Sequence, residues 1–138
     1  MSTDLSLLRR QRSTVLQGMS NSREQINILA DKIARLQAAS NSLQSSITAL
    51  ESSKSAIDSL SVDSSWWKGT NETKFYDRYA TYQDSVQAYV RKSKDAKDGI
   101  DDEIRRTEQS RLVYTNGLNN LHSTLQSLEN QISIAERE

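Results

Sequence analysis

The chain has 138 residues, is 35% hydrophobic and 26% charged, and balances 18 basic against 18 acidic side chains. This length fits one domain, and so polar a composition fills narrow seams between long helices rather than a wide layered core. The neutral balance leaves no electrostatic footprint for nucleic acid or an anionic membrane, and without cysteine there are no disulfides and no thiolate metal sites.

The opening residues, MSTDLSLLRRQRSTVLQG, lack the apolar core and small-residue cleavage site of a secretory signal. No stretch is apolar enough to span a bilayer, so membrane insertion is not expected. The expected location is the cytoplasm, and any export proceeds without a cleaved signal peptide.

A first helix is predicted over about 4–60. Ile26, Leu29, Ile33, Leu36, Leu43, Ile47, Leu50 and Ile57 recur on alternating three- and four-residue steps, with Ser40 and Lys54 as polar members. The frame extends back through Ser22, Met19, Val15, Arg12, Leu8 and Leu5. This is the a/d repeat of a coiled-coil seam, whereas a strand would alternate every second residue. Over about 61–70 the repeat is lost among Ser, Asp and Gly, which favour caps and turns.

A second helix is predicted over about 71–136. Its seam opens with Phe75, Tyr79, Tyr82, Val86 and Tyr89, passes Ser93, Ala96 and Ile100, and continues from Ile104 to Ile132. Two successive four-residue steps at Ala96, Ile100 and Ile104 predict a stutter, with Gly99 beside it. The aromatic run is expected to face the Ser/Ala-rich part of the first helix.

A short connection makes two long helices antiparallel neighbours. The predicted fold is therefore all-α: one coiled-coil-like helical hairpin over 1–138. Arg9, Arg10 and Arg12 then share an end with Glu129, Glu136 and Glu138. A single seam buries little area, and Leu7, Leu16, Ile28, Val90, Leu112, Val113 and Ile134 lie off it. These residues, with Leu16 near Leu112 and Val113, are expected to form a docking face that completes a four-helix bundle with a partner or a second copy.

The chemistry of an enzyme is not legible. His122 is the one histidine, the acidic run Asp101-Asp102-Glu103 points in different directions around a helix, and no glycine-rich phosphate loop appears. No catalytic, cofactor or metal site is expected.

Both tryptophans, Trp66 and Trp67, sit at the break, followed by Gly69 and, six residues later, Phe75. An indole and a phenyl ring there can close the end of the seam. Trp67-Lys68-Gly69 centred between two amphipathic helices resembles the WXG-100 superfamily of helical hairpins, and the chain's length resembles its longer YwqH-like branch. The resemblance implies a partner or substrate of type VII secretion. The branch is associated with LXG-type toxins, implying an accessory or targeting factor that binds the toxin's helical N-terminal domain. Trp66, Trp67, Gly69 and Phe75 would then shape the end presented to the secretion machinery. The superfamily's Tyr-x-x-x-Asp/Glu export signal is missing: Ala80, Gln83, Val86, Ser93 and Leu118 stand four residues after the tyrosines. That departure favours a protein working in complex with a signal-bearing chain. The alternatives are a self-associating secreted WXG protein, or a coiled-coil scaffold with an accidental W-x-G.

Overall fold

A proline-free sequence with a long three-four spacing of mostly apolar side chains on either side of residues 61–70 gives little to interrupt a helix in either half. The computed structural model describes residues 2–59 and 70–138. Within them α1 spans Ser2–Asp58 and α2 spans Thr70–Arg137. No strand occurs among the described residues, and the fold is the expected all-α helical hairpin. Trp66, Trp67 and Gly69 lie outside the described residues.

The helices pair in two compact units, one combining Met1–Arg35 with Ile104–Glu138 and the other formed by Leu36–Glu103. In the first, Arg9 meets Glu136 at 3.1 Å, and Gly18 lies against Leu121, so the helices run antiparallel. Met19, Ile33, Leu125, Leu128 and Ile132 are buried between them, with Ser22 and Thr107 as polar members of the same seam. Each such apolar side chain contributes roughly 1.5–3 kcal/mol by leaving water. The Arg9–Glu136 pair is about half exposed on both sides, so it contributes about 0–1 kcal/mol and the seam dominates.

In the second unit Ile47 and Val90 are buried, and Leu36, Leu43, Leu50, Phe75, Tyr79 and Val86 are half-buried beside them. A polar layer crosses this seam. The Ser40 hydroxyl, 6% exposed, donates to Asp101 Oδ1 at 2.6 Å, while Lys97 Nζ reaches Asp101 Oδ2 at 2.8 Å. Asp101 is thereby drawn out of the acidic run and satisfied from both helices. The last turn of α1 is closed locally. Ser59 N and Oγ both donate to the Ser55 carbonyl, and the Tyr79 hydroxyl donates to the Ile57 carbonyl, serving acceptors that a helix C-terminus leaves unpaired.

Along α1 the sequence frame holds from Leu5 to Ile57, every member being buried or half-buried. Along α2 it needs correction. Tyr82 and Tyr89 are 54% and 61% exposed, and Ala96 is exposed too; Gln83, Val90 and Lys97 turn inward instead. The pair of four-residue steps lies at Phe75, Tyr79 and Gln83, after which Val86, Val90, Ser93, Lys97, Ile100 and Ile104 alternate regularly. The physical reason is local. Phe75 stacks on Tyr79 at 6.0 Å and Tyr79 is bonded to α1, which fixes the face of the first turns. From there Val90 buries its whole side chain, whereas Tyr89 in the seam would leave its hydroxyl without water. Val90 is therefore a core residue and not part of an outer docking face.

Candidate interaction surface

The surface that remains follows from the seam. In the first unit Leu5, Arg12, Met19, Ile26 and Ile33 occupy heptad position a of α1, and Ile104, Arg111, Leu118, Leu125 and Ile132 occupy a of α2. In an antiparallel pair, positions e of both helices then line one flank and positions g the other.

The e flank carries Leu16, 45% exposed, and Leu112, 58% exposed. Leu112 lines an open groove with Ile26, Glu108, Arg111 and Thr115. Leu16 stands ten residues before Ile26 on α1, so the structure does not bring it against Leu112, as the sequence reading expected. Val113, 69% exposed, turns about 100° from its neighbour and belongs to the g flank.

The g flank takes the other off-seam residues that the sequence placed with Leu16 and Leu112 on a single face. It carries Leu7, Ile28, Val113 and Ile134, each at position c and each at least half exposed. Asp4 shares a shallow groove with Ile134, and Ile26 shares one with Leu112, which sets Leu7 about level with Ile134 and Ile28 with Val113. A second groove, of about 440 Å³, runs between Leu7, Arg10, Gln11 and Thr14 on α1 and Thr124 and Leu128 on α2. Between the two apolar levels, positions c and g of α1 hold Gln11, Thr14, Gly18, Asn21 and Gln25; those of α2 hold Gly117, Asn120, Thr124, Ser127 and Gln131. None is charged.

In the second unit the e flank is closed by polar pairs. Lys94 meets Glu51 at 2.6 Å, Lys54 meets Asp58 at 2.8 Å, and Gln83 donates to Asp58 at 2.7 Å. Hydrogen bonding by Lys54, then by Gln83, holds the Asp58 carboxyl below its ordinary pKa. The exposed Tyr82 and Tyr89 stand on the other flank. Phe75 is half-buried, in edge contact with Tyr76 at 5.6 Å and stacked on Tyr79, at the end of α2 nearest the W-x-G segment.

No group of His, Cys, Asp or Glu able to hold a metal occurs among the described residues, and no helix there is long and apolar enough to cross a membrane. The arrangement is one occupied seam, with apolar side chains set at heptad intervals outside it.

A family model described as YwqH-like matches residues 10–130, which takes in both helices and the segment between them. The chain belongs to the YwqH-like family. No curated protein and no solved structure matches it. The match includes Leu16, Ile28, Leu112 and Val113, leaves Leu7 and Ile134 outside it, and so bears on most of both helices rather than on the W-x-G tripeptide alone.

Proposed function

We propose that this YwqH-like hairpin is a non-catalytic accessory factor that binds the helical N-terminal domain of an LXG-type toxin and accompanies it to type VII secretion. The observation that carries the reading is the pair Leu16 and Leu112, large apolar side chains left half exposed on one flank of a hairpin whose own seam is already filled. A partner helix laid along that flank would cover both and complete a helical bundle. The missing tyrosine-acid export signal fits a chain that relies on its partner for export. In this reading Trp66, Trp67, Gly69 and Phe75 form the end offered to the secretion machinery.

The test is co-expression with the helical domain of a toxin encoded beside it. Co-elution on size exclusion is expected, with Leu16→Asp and Leu112→Asp each weakening binding about tenfold or more while helicity by circular dichroism is kept. Separate elution of the wild-type chains would end the adaptor reading.

A further inference from the structure

The g flank of the first unit is self-complementary. Leu7 and Ile28 are three heptads apart on α1; Val113 and Ile134 are three heptads apart on α2. Two apolar levels of the same kind therefore bracket an uncharged middle. The charges on its outer rim in that interval are Arg10, one turn inside Leu7, and Glu24, one turn inside Ile28. A twofold rotation that reverses the helix direction exchanges the two apolar levels. The same rotation brings Arg10 level with Glu24 of the other copy, twice, with opposite signs facing.

We infer that the g flank binds a second copy of this chain, antiparallel, with α1 on α1 and α2 on α2. Leu7 packs on Ile28 of the second copy, and Val113 on its Ile134. Gly117, on the uncharged middle, lets the backbones approach closely: a Cβ there would meet nothing within 4 Å, so the position is open in the single chain, whereas the space at Gly18 is taken by Leu121 of the same chain. Positions c and g supply a second three-four seam outside the first, and Arg10 and Glu24 set its direction. The other rotation, about the helix axis, would lay α1 on the uncharged stretch of α2 between Val113 and Ile134 and bring Arg10 and Glu24 to no opposite charge. This face is opposite to the one carrying Leu16 and Leu112, so the inference stands or falls apart from the adaptor reading.

Sedimentation equilibrium on the full chain alone, without any toxin domain, tests it. A mass twice 15.6 kDa is expected at micromolar concentration. Arg10→Glu should raise the dimer dissociation constant about tenfold, and the swap Arg10→Glu with Glu24→Arg should restore it. The chain has no cysteine of its own. A Thr124→Cys variant, near the twofold axis, should therefore oxidise to a covalent dimer, while Asn119→Cys on the opposite flank should not. A monomer at all concentrations overturns the inference. So does a dimer that cross-links through Asn119→Cys, or one that is indifferent to both charge changes.

Discussion

Ser40 shows how much one small side chain decides in a thin seam. Its hydroxyl is buried and donates to a carboxylate that Lys97 also holds, so its loss leaves an acceptor underused in a place where water has little access. Ser40→Ala is expected to lower stability by about 1–3 kcal/mol in urea unfolding, whereas the exposed Ser46→Ala should stay within about 0.5 kcal/mol. The sequence marked Ser40 as an interruption of the apolar repeat and could not name Asp101 as its partner, because that pairing depends on where α2 begins to turn. Asp58 makes a second case. Its pKa is depressed, so the stabilisation from Lys54 and Gln83 is complete above the ordinary value of 3.8 and is lost as pH falls through the lower folded value. Urea midpoints of wild type and Asp58→Asn should therefore converge on acidification below 3.8 and differ above it.

At the level of the helices, α1 was legible throughout because one three-four frame runs from Leu5 to Ile57, whereas Leu7, Leu16 and Ile28, each beside a seam residue, do not recur in a frame of their own. On α2, Tyr82 and Tyr89 are apolar by composition and lie next to Gln83 and Val90, so spacing alone admits two frames. The choice falls to the stack of Phe75 on Tyr79 and the bond from Tyr79 to α1, neither of which a linear pattern contains. The shift of frame also removes the reason for a backbone irregularity at Gly99, where an added Cβ meets nothing within 4 Å. Gly99→Ala should raise stability by up to about 1 kcal/mol from helix propensity. At Gly18 the same change puts a Cβ 3.3 Å from Leu121 Cδ1, so the gain should be smaller or reversed. Thermal unfolding of the two variants side by side checks the contrast.

For the molecule as a whole, the hairpin was readable from periodicity, and the YwqH-like family from the central tripeptide taken together with the chain's length, while the assignment of surfaces was not. Flanks exist only once the register of α2 on α1 is known, which is why Leu16 and Leu112 were expected together with Val113 and prove to share a flank without it. The same register orders the cross-helix bonds as rungs. Their separation along the chain falls from 127 residues at Arg9–Glu136, to 61 at Ser40–Asp101, to 22 at Tyr79–Ile57. A load applied to the two ends therefore reaches the rungs singly, outermost first, instead of shearing them in parallel. In an optical trap the chain is expected to unzip at a low, nearly constant force. Attachment at residues 1 and 59 should instead stretch α1 along its axis and resist more strongly.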